Sequence, residues 1–164
     1  IRDDDPVVFC EHKAIYDEVA EVPDEEFVIP FGEARKVCEG NDVTIVAFSH
    51  MVLFAEQAAK ELSSEGISVE VIDPRTLSPL DDKSIIDSVE KTGKLLIVDE
   101  ANPYCSMASE VSSVVAEKAF HALKAPIRKI MSPHTPVPAS PTLETFYVPS
   151  VSQIEDVVRE LSNY

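Results

Sequence analysis

Ser49 and His50, Asp73 and Arg75, Asp99 and Glu100, and Ser132 and His134 are the side chains of this sequence whose types invite chemistry. Each pair follows directly on a short apolar run, so all four collect where those runs end. A hydroxyl, an imidazole and a carboxylate on one rim are the parts of an acyl-transfer site, with Ser49 or Cys105 as nucleophile. An activated serine, however, needs a strained turn, often GxSxG, and an oxyanion hole of backbone N–H groups, and the stretch AFSHM contains no glycine. Hydrolysis is therefore the lesser reading. A rim that binds a small anion with the help of Arg75 is a second possibility. In the plainest reading, polar strand ends satisfy their own loops and Arg75 neutralises Asp99 or Glu100.

Other chemistries fail on spacing. Gly32, Gly40, Gly66 and Gly93 stand far apart, so no phosphate cradle of the GxGxxG or GxxxxGK kind can form. Cys10, Cys38 and Cys105 make no CxxC pair and have no histidine at metal-ligand spacing. That pattern points to a reducing compartment and away from structural zinc or a disulfide framework. Asp3, Asp4 and Asp5 with Glu11 offer oxygens to a hard cation, yet Pro6 leads straight into an apolar run, so a solvated charge run is the better description.

The elements that must position the rim are legible from Val43 onward. The runs 43–48, 69–73 and 95–99 are β-rich and nearly continuous in apolar residues, as strands buried on both faces require. Between them, Ala55, Ala58, Ala59 and Leu62 keep helical spacing up to Gly66. Pro79 is expected to open a helix that carries Ile85, Ile86 and Val89, capped by Ser78 or Asp81 and ended by Gly93. Ser106 caps a helix with Met107, Val111, Val114 and Val115 on one face, and 127–131 is a fourth strand. The five prolines of 132–149 predict no regular structure there. Ser150 and Gln153 then form a capping box for a last helix, whose buried stripe is Val151, Ile154, Val157, Val158 and Leu161.

This rhythm implies right-handed crossovers and an α/β/α three-layer sandwich around a mostly parallel sheet of about five strands. The stretch 33–38 supplies one antiparallel edge strand. Residues 1–30 do not share the pattern and are expected to be an acidic connecting arm, leaving 31–164 as the domain proper. The chain has 164 residues and begins with isoleucine, as an excised fragment would.

Charge narrows the partners. Fourteen basic residues against thirty acidic ones give −16, and 1–30 alone hold ten acids and two bases. Such a surface repels phosphate backbones and anionic lipid, so neither nucleic acid nor membrane is expected. A basic protein partner is favoured.

Several motifs are shared with a known family. IRDDDPVVFCEHKAIY, VIPFGEA, EVIDPRTLSPLD and SPHTPVPASPTLETFYVPS, in this order, resemble the C-terminal part of the beta subunit of thiamine-diphosphate-dependent 2-oxoacid dehydrogenase decarboxylating components, the transketolase C-terminal domain family. VDEANPYCS, where relatives have a glycine-rich turn, with PHTPVP later, looks most like the acetoin dehydrogenase branch, with pyruvate dehydrogenase as the near alternative. The resemblance implies a full enzyme that uses thiamine diphosphate with magnesium to cleave acetoin, or decarboxylate a 2-oxoacid, and passes the two-carbon unit to lipoamide. It also implies that this segment is non-catalytic and binds no cofactor itself. Its partners would be an alpha subunit, a second beta subunit in an alpha2-beta2 heterotetramer, and an acyltransferase core that docks through a basic peripheral-binding domain. The location implied is bacterial cytoplasm, or the mitochondrial matrix in a eukaryote. Asp99, Glu100, Asn102 and Tyr104 become candidates for a subunit interface. Some relatives place an acidic docking residue just before the Ala-Pro step, where this chain has Lys124, so Lys124, Glu117 and the C-terminal Tyr164 join the candidates.

Overall fold

Apolar residues on alternate sides of each strand need two covering layers, and the chain supplies them with helices of opposite placement. A computed structural model describes residues 4–6 and 8–164. Its elements are β1 (Arg35–Cys38), β2 (Val43–Ala47), α1 (Met51–Ser63), β3 (Val69–Asp73), α2 (Asp82–Thr92), β4 (Leu95–Asp99), α3 (Met107–Lys118), β5 (Arg128–Met131), α4 (Pro141–Tyr147) and α5 (Val151–Ser162). The sheet order is β1-β3-β2-β4-β5. β2 pairs with β3 and β4, and β4 with β5, all in parallel, while β1 joins the edge of β3 antiparallel with an irregularity between Lys36 and Cys38.

The two faces divide cleanly. Val43, Ile45 and Ala47 of β2, with Val71 and Val98, pack against Ala55, Ala58 and Leu62 of α1 and Ile154, Val158 and Leu161 of α5. Val46, Ile72, Leu95 and Ile97 meet Ile85 and Val89 of α2 and Val111 and Val115 of α3 on the other face. A polar group in that second layer is fully satisfied. The Thr44 hydroxyl lies 2.7 Å from both Ser88 Oγ and Thr92 Oγ1, and Thr92 also donates to the Ser88 carbonyl. Burying hydroxyls without partners would cost free energy; three that bond one another avoid this.

Caps and breaks follow local chemistry. Ser106 accepts from the Ser109 N–H, and the reciprocal Ser150–Gln153 box forms at the start of α5. Two expectations are corrected. Pro79 does not open α2: it lies before the helix, after a cis Ser78–Pro79 bond, and Asp81 is the cap, because its carboxylate takes the Ser84 N–H at 3.1 Å. The proline-rich stretch does contain a helix, α4, with Pro141 in its first turn, where a missing N–H breaks no helical bond. Residues 4–6 and 8–30 contribute a single 3-10 turn, Lys13–Ile15, and carry exposed Phe9, Val19, Val22 and Val28.

Candidate functional site

Strand order places the site. β3 lies on one side of β2 and β4 on the other, so the chain leaves the carboxyl ends of β2 and β4 toward opposite faces, into α1 and α3. In an open parallel sheet such a divergence leaves a crevice between the two loops. His50 follows β2 and Glu100 follows β4. The two meet across this crevice, His50 Nδ1 standing 3.6 Å from Glu100 Oε1.

A third residue comes from the arm. His12 Nε2 lies 2.9 Å from Glu100 Oε2, and its ring stacks on that of His50 with centroids 5.1 Å apart and planes 21° apart. His50 is held from the far side by Phe54, ring to ring at 4.6 Å. Although His50 occupies the N-cap position of α1, its side chain makes no capping bond. A histidine caps poorly, which leaves the ring free to turn into the crevice. The nitrogen that faces Glu100 is buried and has no hydrogen-bond partner, since 3.6 Å exceeds hydrogen-bond reach. All three side chains are partly buried and their donor atoms lie within 4.8 Å of one another. Two imidazoles and a carboxylate are donors suited to a borderline divalent cation. His12 was missed in the sequence because the arm reads as a solvated acidic run; its only signal was an imidazole beside Glu11 amid acids.

The expected pairing of Arg75 with Asp99 or Glu100 does not form. Among the described residues Glu100 pairs with His12, while the Arg75 N–H donates to Asp73 Oδ1 at 3.0 Å in a tight turn with φ +59°. Asp99 is half-buried and accepts from the Ala101 N–H at 3.1 Å. Burial, with the neighbouring Glu100 charge, pushes its carboxyl above the usual range despite that bond.

The turn 99–105 is built from its own polar groups. Asn102 Oδ1 accepts from the Tyr104 N–H at 3.1 Å, and the exposed Tyr104 ring meets His134 edge-on at 4.9 Å. This contact ties the loop after β4 to the loop after β5. Ser49 and Cys105 are corrected in one respect: both adopt left-handed backbone, φ +53° and +51°, so the strained turn that the absence of glycine argued against is present. The hydrolase reading still lacks its central bond. The imidazole beside Ser49 turns toward Glu100, and no hydrogen bond joins either nucleophile candidate to a base among the described residues.

The seven candidate residues separate into two groups. Asp99, Glu100, Asn102 and Tyr104 share the rim at the carboxyl ends of the strands. Glu117 lies in the last turn of α3, Lys124 precedes β5, and Tyr164 follows α5, whose end touches the start of β4 through a Lys94 Nζ bond to the Ser162 carbonyl at 2.9 Å. Those three therefore lie at the opposite end of the sheet. All three are exposed.

The comparisons with known proteins agree with this architecture. The family model described as "Transketolase, C-terminal domain" matches residues 32–154. The chain belongs to the transketolase C-terminal domain family. Within that family it is 53% identical over 160 residues to the acetoin:2,6-dichlorophenolindophenol oxidoreductase subunit beta of Cupriavidus necator, covering 98% of this chain and 47% of that protein. It is 45% identical over 163 residues to the mitochondrial pyruvate dehydrogenase E1 component subunit beta-1 of Oryza sativa, covering 97% and 43%. A solved split-gene transketolase, described as an inactive beta4 tetramer, superposes with a TM-score of 0.74 at 27% identity, covering 88% of this chain and 46% of that one. The chain thus spans about half the length of these transketolase-family relatives. Among the described residues no helix is long and apolar enough to cross a membrane.

Proposed function

We propose that this transketolase C-terminal domain is the assembly and docking portion of the beta subunit of a thiamine-diphosphate-dependent acetoin dehydrogenase. The observation that supports it is identity of 53% along 98% of the chain to an acetoin oxidoreductase beta subunit, above the 45% to a pyruvate dehydrogenase beta subunit. A pyruvate or branched-chain 2-oxoacid dehydrogenase beta subunit is the second reading, favoured by the rice relative. The partners under either reading are an alpha subunit, a second beta subunit, and a lipoamide acyltransferase core recruited through a basic module. The apolar side chains left exposed on the arm, Phe9, Val19, Val22 and Val28 among them, suit burial against other polypeptides. The location is bacterial cytoplasm, or the mitochondrial matrix in a eukaryote.

Thiamine diphosphate with magnesium supplies the bond-breaking chemistry in the full enzyme. The residues of this domain do not fit its diphosphate. The rim carries Asp73, Asp99 and Glu100, and the glycines at φ above zero, Gly32, Gly66 and Gly93, each stand alone at separate turns. The domain's part is to shape and hold interfaces.

The test is to assemble the full-length beta subunit with its matching alpha subunit and follow dichlorophenolindophenol reduction with acetoin or pyruvate. Acetoin is expected to be the better substrate. Preference for pyruvate transfers the domain to the second reading, and turnover by the 164-residue chain alone, or heat when thiamine diphosphate and magnesium are titrated into it, refutes the assembly role.

A further inference from the structure

We propose that His12, His50 and Glu100 form a binding site for one borderline divalent cation, which pins the N-terminal arm to the strand-end rim. Three separate segments deliver the donors: the arm, the start of α1, and the loop after β4. They converge at the point where the sheet's connections diverge. A tetrahedral ion with bonds of about 2.0–2.1 Å sets neighbouring donor atoms roughly 3.3–3.5 Å apart. The donors all lie within 4.8 Å of one another, and the two closest approaches, His12 Nε2 to Glu100 Oε2 at 2.9 Å and His50 Nδ1 to Glu100 Oε1 at 3.6 Å, are near that spacing.

The unpartnered His50 nitrogen points to the same ligand. A buried ring nitrogen facing a carboxylate beyond hydrogen-bond distance loses solvation and gains no bond in return. A cation placed between them satisfies both. The rings are already oriented, His50 between Phe54 and His12, so little conformational freedom is lost on binding. Two imidazole lone pairs and a carboxylate, inside a chain of −16, favour a dication. Nitrogen-rich donors select zinc, cobalt or nickel over magnesium or calcium. Three protein donors leave a fourth position for water.

Without metal, His12 has a defined tautomer. Its Nδ1 accepts from the Ala14 N–H at 3.2 Å, so the ring proton sits on Nε2 and points at Glu100. Metal binding takes the Nε2 lone pair. The proton leaves Nε2, one arrives on Nδ1, and the exposed Ala14 N–H turns to water, so His12 itself releases no net proton. The inference is independent of the acetoin assignment.

The experiment uses tag-free full-length protein carrying this domain. Zinc chloride is titrated by calorimetry, cobalt by visible absorption, and histidine tautomers are read by nitrogen-15 NMR with and without zinc. Expected are one equivalent of zinc, a tetrahedral cobalt spectrum, and a switch of His12 from Nε2–H to Nδ1–H. Outer partners of metal sites cost 10–100-fold in affinity when changed, so losing a direct donor by His12→Ala, His50→Ala or Glu100→Gln should cost at least about as much. His121→Ala and His134→Ala serve as controls. His12→Ala alters only the arm, so a folding failure at His50 leaves the test intact. Absence of saturable zinc binding, affinity unchanged in the His12 and Glu100 variants, or a His12 tautomer that does not move would each overturn the site.

Discussion

Removing the Asp81 carboxylate should destabilise the domain more than loss of one helix cap, because that group serves two elements. Oδ1 accepts from the Ser84 N–H at 3.1 Å and caps α2; Oδ2 accepts from Ser84 Oγ at 2.7 Å and from the Ala34 N–H, at the entry to β1, at 2.8 Å. Asp81→Ala forfeits a cap worth about 1 kcal/mol. It also strands a part-buried Ala34 N–H, at a cost of about 1–3 kcal/mol. The sum, about 2–4 kcal/mol, corresponds to a fall in Tm of roughly 5–15 °C for a domain of this size. Asp81→Asn keeps one acceptor oxygen and a good cap, so it should lose less than half as much.

The same carboxyl makes a pH prediction. Burial alone would raise its pKa, but the Ala34 and Ser84 bonds and the nearby Lys83 charge outweigh burial and hold it below the ordinary aspartate value. A depressed folded-state pKa stabilises in full above the unfolded value of about 3.9 and is lost as pH falls through the lower folded value. The gap between wild type and Asp81→Ala should therefore be constant near neutrality and shrink below about pH 4. Denaturant unfolding across that range, with amide exchange at Ala34, measures both effects. An Asp81→Ala loss within about 0.5 kcal/mol of zero, or an Asn variant as damaged as the alanine, would refute the double role.

Two further perturbations probe the edge of the sheet. A Cβ at Gly40 would stand 2.1 Å from the Val69 carbonyl carbon, so Gly40→Ala should detach β1 or prevent folding, whereas Gly66→Ala meets open space and should cost only about 1 kcal/mol through its φ of +83°; circular dichroism melts of the pair distinguish crowding from backbone strain. Glu70→Gln should cost about 1–3 kcal/mol in chemical denaturation, because a side chain 1% exposed keeps one acceptor oxygen for Lys91 but loses the charge that holds Lys91 and, at 3.6 Å, Lys36, while both part-exposed lysines regain water.

How much of this was legible can be judged residue by residue. The three central strands and the caps at Ser106 and Ser150 were readable because burial on both faces and unsatisfied helix N–H groups write themselves into local composition. Pro79 misled because proline's fixed φ suits a helix start and equally suits the turn before one; the acceptor geometry of Asp81 decided between them. Pro141 misled in the opposite direction, since one proline at a helix start is harmless where several in a row suggest coil.

The sequence by itself determined the α/β class, the family and the rim on which the polar residues gather, because each rests on periodicity or on ordered motifs within short windows. Tertiary structure alone decided that β2 sits between β3 and β4, and hence that His50 and Glu100 face one crevice. It alone brought His12 across to them and sent Glu117, Lys124 and Tyr164 to the other end of the sheet. Strand order is set by how two helical layers cover both faces at once, a property of the whole packed core that no local stretch of residues records.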